Sequence, residues 1–316
     1  MEGWLAPTEL AGGFLQFLIL GLVIGSLYAL IALGYTMVYG IIELINFAHG
    51  DLFMLGAFFA LGLAIWPMGV TTAEAPLPAL VATVALMLLL TPLFCAIVNV
   101  SVDRVVYRPL RNSPKLTVIV SAIGVSFIFM NIGLLWRGAT PVKFPDLISD
   151  ANLLEGTGLR FTWKDLMVVA VTVPTMIALT LFVRYTRLGK AMRATAQNPV
   201  AAQLMGINVN RVIAVTFAIG GALAGVASVI YGLYIKAVDY QMGFQNGLYA
   251  FTAAVLGGVG NIPGAVLGGL TIGVVGELAK AYLGAKWSEA VIFGILIVVL
   301  LFRPTGLLGA RTREKV

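Results

Sequence analysis

The chain has 316 residues, of which 60% are hydrophobic and only 11% are charged. Soluble domains usually carry about 25% charged residues, so this composition excludes a soluble protein and indicates an integral membrane protein. The apolar runs suit helices of about 20 residues and lack the alternating pattern of an outer-membrane barrel, so the expected fold class is all-α, a polytopic transmembrane helix bundle. The net charge of +6 comes largely from basic residues beside the apolar runs, where they set orientation, and we assign no nucleic-acid partner.

Eight long apolar segments predict membrane-spanning helices. In chain order they cover 14–40, a region ending at Trp66, 77–102, 116–136, 166–183, 212–235, 265–283 and 288–302. A further apolar stretch, 248–256, is too short for a complete span and is expected to be a broken or re-entrant helix. The sequence therefore predicts eight to nine membrane segments.

The distribution of charged residues predicts the orientation of the bundle. If the loops around Arg108 and Arg193 share a side with the C-terminus, that side holds thirteen of the twenty Lys and Arg residues and only two acids. The positive-inside rule makes this side cytoplasmic. We therefore expect the N-terminus outside and the C-terminus inside.

Between the fifth and sixth spans, the basic interval 184–211 contains signals for a short helix. Asn198 suits the N-cap, Pro199 suits the first helical position, and Gly206 can close the C-terminus. A helix of about two turns is marginal on its own, and this one has an apolar surface. It is expected either to pack on its own bundle or the lipid interface, or to enter the groove of a soluble partner.

Polar residues interrupt the apolar pattern between the first two spans, in the sequence ELINFAHGD. The candidate substrate-path residues here are Glu43, Asn46, His49, Gly50 and Asp51. Ionisable groups are costly in a membrane and usually face a cavity or a partner, although a plain cytoplasmic turn is the alternative. A helix break at this position would offer free backbone groups to a zwitterionic substrate.

A glycine-rich run from 257 to 269 has a similar layout. Asn261, Gly264 and Gly268 correspond in order to Asn46, Gly50 and Gly56 of the earlier segment. Paired breaks in two halves of a transporter indicate a transport path. The candidate path residues in this run are Gly257, Gly258, Gly260, Asn261 and Gly264. Tight helix packing through glycine is the alternative explanation.

The sequence lacks the motifs of an enzyme. It has no phosphate-binding loop, no G-x-S-x-G and no H-E-x-x-H, so it is not expected to hydrolyse ATP or to catalyse other covalent chemistry. The single His49 and the single Cys95 cannot supply the several ligands that a metal site needs, and one cysteine cannot form an intrachain disulfide. We expect no metal, no cofactor and no catalytic residues.

Four separated stretches of the chain resemble a known family. They are GSLYALIALGYTMVYGIIELINFAHGDLFMLGAF, MRATAQNPVAAQLMGINVNRV, AVLGGVGNIPGAVLGG and, near the C-terminus, LFRPTGLLG. Together they resemble the permeases of branched-chain amino acid ABC transporters, specifically the smaller of the two paired permeases of the high-affinity leucine, isoleucine and valine system. The resemblance covers nearly the whole chain, and it implies a single permease domain over 1–316 in the bacterial inner membrane.

In that family the permease works with a second, homologous permease, two cytoplasmic ATP-binding subunits and a periplasmic substrate-binding protein, within membrane lipid. The resemblance therefore implies import of leucine, isoleucine and valine by alternating access, with ATP hydrolysed by the partner subunits. Relatives that transport urea or short amides share these motifs, so a urea or amide permease is an alternative. An autonomous secondary transporter or channel is another, although a proton-coupled carrier is expected to hold more buried ionisable residues.

The resemblance also implies that 184–211 is a cytoplasmic coupling loop. The family pattern A-A-x-L-x-G-I is expected to sit in a cleft of an ATPase, and it falls on Ala201, Ala202, Leu204, Gly206 and Ile207. The remaining candidate coupling residues are Arg193, Asn198, Pro199 and Met205. An arginine in place of Ala202 is then expected to leave the protein in the membrane but to uncouple it from its ATPases.

Overall fold

The fold is given by a computed structural model that describes residues 7–42, 46–66, 69, 72, 75–111 and 113–309. In chain order the helices are α1 (Pro7–Ile42), α2 (Ala48–Ile65), α3 (Leu77–Val102), α4 (Arg108–Leu110), α5 (Lys115–Arg137), α6 (Trp163–Tyr185), α7 (Arg187–Gln197), α8 (Pro199–Leu204), α9 (Val209–Ile235), α10 (Met242–Gly257), α11 (Ile262–Tyr282) and α12 (Ala285–Phe302). A π-helical turn, Asp103–Tyr107, joins α3 to α4 without a break in the helix. Within the described ranges the only strands are β1 (Val142–Lys143) and β2 (Ala237–Val238), which pair antiparallel.

Eight helical segments of the described chain are long and apolar enough to cross a membrane. They are α1, α2, the continuous segment from α3 to α4, α5, α6, α9, α11 and α12. The predicted all-α, polytopic bundle is therefore confirmed. α10 has only 16 residues, as expected for an incomplete span, but it begins at Met242 rather than near residue 248. Its first turns contain glycine, glutamine and asparagine, which an apolar pattern does not detect.

The most extensive contact between two helices of the described chain is the crossing of α1 and α11, where small residues let the two backbones touch. A Cβ atom placed on Gly25 would lie 2.8 Å from the carbonyl oxygen of Gly269, and a Cβ atom on Gly21 would lie 2.6 Å from Cα of Val274. Such close approach is typical of membrane helices, whose association depends on packing rather than on the hydrophobic effect. Larger side chains at these positions would force the helices apart.

A second close crossing joins α3 to α9. A Cβ atom placed on Gly225 would lie 2.5 Å from Cα of Pro92, and a Cβ atom on Gly221 would lie 2.5 Å from the carbonyl oxygen of Cys95. The Cys95 side chain is fully buried at this crossing, so the free cysteine belongs to the core and does not face lipid. The spans with the largest buried share are α2, α9 and α1, and the two crossings attach α11 to α1 and α3 to α9.

A network of four charges ties the long loop between α5 and α6 to the end of α9. The Lys164 ammonium lies 2.7 Å from a carboxylate oxygen of Asp146 and 2.7 Å from one of Asp150, and Lys236 pairs with both aspartates. Burial alone would raise the pKa of each aspartate, but hydrogen bonds and charges from the two lysines hold it below its ordinary value. Together with the β1–β2 pair, the network anchors this loop to the bundle on the side predicted to be outside.

Replacing Gly25 with Leu is expected to destabilise the protein, because the new side chain would meet the α11 backbone, which cannot move aside as a side chain can. Overpacking of this kind costs about 1–3 kcal/mol, measurable as a lower midpoint of thermal unfolding in detergent. Gly294→Leu is the matched control, since a Cβ atom there has no neighbour within 4 Å. An equal loss of stability in both variants would contradict the proposed tight crossing.

Candidate functional site

The start of α2 lies inside the bundle rather than at its edge. The ring of His49 lies against Gly34 of α1, and its centroid is 4.8 Å from that of Tyr35. Gly34 precedes the end of α1 at Ile42 by eight residues, which corresponds to about 12 Å along a helix. Asn46, His49 and Asp51 are each at most 3% exposed. A plain exposed turn is therefore excluded for Asn46–Asp51, whereas Glu43 lies outside the described residues.

The start of α10 meets the start of α2 at a contact made by glycines. A Cβ atom placed on Gly247 would lie 3.0 Å from Cα of Gly50, and a Cβ atom on Gly243 would lie 2.8 Å from the carbonyl oxygen of Gly50. Two helix N-termini thus converge within the bundle. Helix N-termini carry unpaired amide groups and a partial positive charge, which favours a nearby anionic group.

Beside this contact lies a cavity of about 590 Å³, which we call the chamber. Its walls come from α1, the segment before α2, α5 and α10. They are lined by Tyr35, Phe47, Ile123, Ser126, Phe127, Met130, Gln241, Gly243, Phe244, Gln245, Gly247, Leu248 and Phe251. The volume, the mostly apolar and aromatic walls and the few polar groups are typical of a small-molecule site.

Asp51 lies directly behind the chamber wall. The Ser126 hydroxyl, which lines the chamber, donates a hydrogen bond to one carboxylate oxygen of Asp51. The other carboxylate oxygen has no hydrogen-bond partner among the described residues. These buried polar atoms lie next to the chamber without lining it.

Asn46 is the centre of a buried hydrogen-bond network. Its side-chain oxygen accepts a hydrogen bond of 2.8 Å from the Tyr107 hydroxyl, and its amide donates one of 3.3 Å to Asn99. The Asn99 amide in turn donates a hydrogen bond of 2.7 Å to the Phe217 carbonyl. The network joins the start of α2 to α3, to the π-helical turn and to α9, so the polar groups of Asn46 are engaged within the protein.

In the glycine run from 257 to 269, Gly257, Gly258 and Asn261 pack against the C-terminal segment, and no residue of the run lines the chamber. The Asn261 side chain caps α11 by accepting a hydrogen bond of 3.1 Å from the amide of Gly264, and it donates one of 2.7 Å to the carbonyl of Leu308. The Leu308 amide donates a hydrogen bond to the Gly257 carbonyl. Gly258 also lies against the C-terminal segment. Tight packing, the alternative explanation from the sequence, accounts for these contacts.

Gly260 lies instead beside the interval 184–211. It lines a small cavity of about 80 Å³ together with Arg193 and with Gly40 at the end of α1. The Arg193 guanidinium donates hydrogen bonds to the carbonyls of Val183 and Arg184, which fixes α7 against the end of α6. The structure thus places the second glycine run next to the candidate coupling segment, which the sequence pattern did not indicate.

The predicted short helix exists as α8. The Asn198 side chain accepts hydrogen bonds of 3.0 Å from the amides of Val200 and Ala201, Pro199 occupies the first turn, and Gly206 closes the end with φ 82°. These capping signals account for a six-residue helix in a chain of this composition.

One face of α8 is exposed and apolar, and we call it the α8 face. It consists of Val200, Ala201, Leu204 and Met205, and the exposed fractions of Val200, Leu204 and Met205 are 67%, 84% and 83%. Ala202 is only 4% exposed, and the amide of the half-buried Ile207 donates a hydrogen bond to its carbonyl. An arginine at Ala202 would therefore disturb the bundle itself, so that variant would not be a clean test of docking. The family pattern A-A-x-L-x-G-I therefore differs from the exposed α8 face: it includes the buried Ala202 and the half-buried Ile207, and it omits the exposed Val200.

A cofactor site is not apparent in the described part of the chain. Among these residues no group of three or more His, Cys, Asp or Glu side chains could hold a metal ion. The geometry instead combines a chamber among apolar helices with a short helix that has an exposed apolar face. This is the arrangement of a multi-pass membrane permease.

Comparison with known proteins identifies the family. Residues 17–300 match the model of the family described as the branched-chain amino acid transport system permease component, and the chain belongs to this family. It is 43% identical to the high-affinity branched-chain amino acid transport system permease protein LivH of Salmonella typhimurium, over 96% of this chain and 98% of the relative. The high-affinity branched-chain amino acid transport system permease protein BraD of Pseudomonas aeruginosa is also 43% identical, over 96% of this chain and 98% of the relative. The probable branched-chain amino acid transport permease protein LivH of Methanocaldococcus jannaschii is 27% identical, over 91% of this chain and 90% of the relative. No solved structure matches the chain.

Replacing Tyr107 with Phe is expected to destabilise the protein without changing the packing volume, because the side-chain oxygen of Asn46 loses its donor while it remains buried. An unsatisfied buried acceptor costs about 1–3 kcal/mol, measurable as a lower midpoint of thermal unfolding in detergent. The control is Tyr185→Phe, at a residue that is 64% exposed. Unchanged stability in Tyr107→Phe would mean that the network contributes little to fixing α2.

Proposed function

We propose that this chain is the permease subunit of an ABC importer that moves branched-chain amino acids into the cytoplasm by ATP-driven alternating access. The observation that carries the proposal is the α8 face, an apolar surface on a short helix that the bundle leaves exposed. A permease without a nucleotide-binding motif needs such a surface to receive force from a separate ATPase. The family of the chain and the names of its relatives support the substrate class.

The chamber is proposed as part of the substrate path. Its aromatic and aliphatic walls suit a branched side chain, while Ser126, Gln241 and Gln245 offer polar groups to the ammonium and carboxylate. The converging starts of α2 and α10 favour the carboxylate end. Asn46, His49, Gly50 and Asp51 would then shape the wall from behind. Urea, the alternative substrate, is smaller and gains little from apolar walls.

The partners are also part of the proposal. Ile123, Phe127 and Phe244 line the chamber and are at least 40% exposed, so one side of the chamber is open to a neighbour. A second, homologous permease would close this side, two ATP-binding subunits would receive α8 and the interval 184–211, and a periplasmic binding protein would deliver substrate. The complex would lie in the inner membrane of a bacterial cell.

The direct test is uptake into vesicles that contain the chain and its complete set of partners. Labelled leucine, alanine and urea should be offered separately, with and without ATP. Leucine uptake that requires ATP and exceeds urea uptake is the expected result. Uptake of urea in preference to leucine would reassign the substrate, and leucine uptake by the chain alone without ATP would favour an autonomous carrier.

Replacing Leu204 with Arg is expected to weaken ATPase binding by about tenfold or more, because a central apolar contact of the α8 face would be lost. The yield of membrane-inserted protein should not change, since Leu204 is 84% exposed. Co-purification with the ATP-binding subunits and ATP-dependent leucine uptake measure the effect. Gln203→Arg is the matched control on the same helix, because Gln203 is also exposed but lines a cavity beside Thr195 and Asn210 and does not belong to the α8 face. Normal uptake by Leu204→Arg would exclude docking through this face.

Replacing Gln245 with Trp is expected to narrow the chamber, because Gln245 is an exposed residue of its wall. Leucine uptake should fall more than alanine uptake, by about tenfold in their ratio, since steric exclusion acts first on the larger side chain. Gln245→Ala, which enlarges the chamber, is the matched control. If Gln245→Trp left the ratio of leucine to alanine uptake unchanged, the chamber would not be the site of selection.

A further inference from the structure

A groove between α3 and α9 becomes strongly basic at the end predicted to be cytoplasmic. It is a cavity of about 440 Å³ that includes Arg104 and Arg108 from the end of the α3–α4 segment and Arg211 from the first turn of α9. All three arginines are exposed, and none of them forms an ion pair with a described residue. The groove residues of α3, the π-helical turn and α4 have no role in the proposed function, whereas Asn208, Asn210 and Arg211 lie at the end of the interval 184–211.

The walls of the groove follow the helical repeat on both sides. On α3 and the π-helical turn, Val100 precedes Arg104 by four residues, and Arg104 precedes Arg108 by four. On α9, Arg211 is followed by Ala214 and Ala218 on the same face. Each helix therefore presents arginine toward the membrane surface and small or apolar side chains toward the membrane interior.

The carboxylate of Asp103, the acidic residue of the groove, is paired with an arginine and therefore does not repel an anion. Asp103 lines the groove, but its carboxylate is buried and lies 2.6 Å from the guanidinium of Arg111. The same guanidinium donates a hydrogen bond of 2.6 Å to Asn210. Arg111 thus neutralises Asp103 and leaves the charge of the other three arginines uncompensated.

We propose that this groove binds an anionic phospholipid, with the headgroup phosphate held by Arg104, Arg108 and Arg211 and an acyl chain lying along Val100, Ala214 and Ala218. Arginine matches the geometry of phosphate oxygens by donating two hydrogen bonds at once. Basic pockets between membrane helices on the cytoplasmic side are suited to anionic headgroups, and the apolar continuation suits a lipid rather than a soluble phosphate. A bound lipid would join the ends of α3 and α9, the helices whose hydrogen bonds fix Asn46.

The proposal is tested by titrating the purified full chain in mixed micelles with fluorescent phosphatidylglycerol and, in parallel, with phosphatidylcholine. The variant combining Arg104→Gln, Arg108→Gln and Arg211→Gln is expected to bind phosphatidylglycerol about a hundredfold more weakly, which corresponds to about fivefold per arginine. The control combines Arg184→Gln, Arg187→Gln and Lys190→Gln, which remove the same charge from exposed positions elsewhere on the predicted cytoplasmic side. It should lose much less affinity, because none of these three residues lines the groove.

A second variant tests the contribution of the acyl chain separately from that of the headgroup. Ala214→Leu with Ala218→Leu fills the apolar part of the groove and should weaken phosphatidylglycerol binding while leaving the three arginines in place. The midpoint of thermal unfolding without added lipid shows whether each variant is folded, and glycerol phosphate serves as the probe without acyl chains. Equal affinity for the two lipids, an equal loss in the control, or binding of glycerol phosphate as tight as that of phosphatidylglycerol would overturn the proposal.

Discussion

The buried start of α2 is the constraint on which the rest of the structure depends. Within a membrane no water is available to a polar group, so every such group must find its partner in the protein. Asn46 does so through Tyr107 and Asn99, and Asn99 also reaches the carbonyl of Phe217. The π-helical turn is part of this solution, because Tyr107 is its last residue. One side chain thus sets the relative positions of α2, α3 and α9.

Glycine residues make possible the contact between the start of α2 and the start of α10. The starts of α2 and α10 can meet only because Gly50, Gly243 and Gly247 have no side chains at the contact. The same contact places Tyr35, Phe47 and Phe251 around the open space beside it, which is the chamber. The chamber is therefore a consequence of two helices that begin within the bundle, rather than of a gap between complete spans.

Local signals in the sequence predicted most of the architecture. Long apolar runs gave the eight spans, and Asn198, Pro199 and Gly206 gave α8, because hydropathy and capping depend only on neighbouring residues. The chamber could not be predicted, since Ser126 and Gln245 are far apart in sequence and neither interrupts an obvious pattern. The similarity between the segment around Asn46 and the glycine-rich run 257–269 was also ambiguous, because glycine occurs both at close helix contacts and at helix breaks. In the second run, the contact of Asn261 with Leu308 is a packing contact with the C-terminal segment.

Under the proposed mechanism, the burial of Ala202 matters as much as the exposure of Leu204. A helix that was exposed on all sides could move with an ATPase without moving the bundle. α8 instead has Ala202 buried against its own chain, and α7 before it contributes Met192 and Arg193 to a small cavity beside Gly40 and Gly260. Gly40 belongs to α1, which also carries Tyr35 into the chamber wall. A displacement of α8 is therefore expected to reach the chamber through α7 and α1, which border the same small cavity.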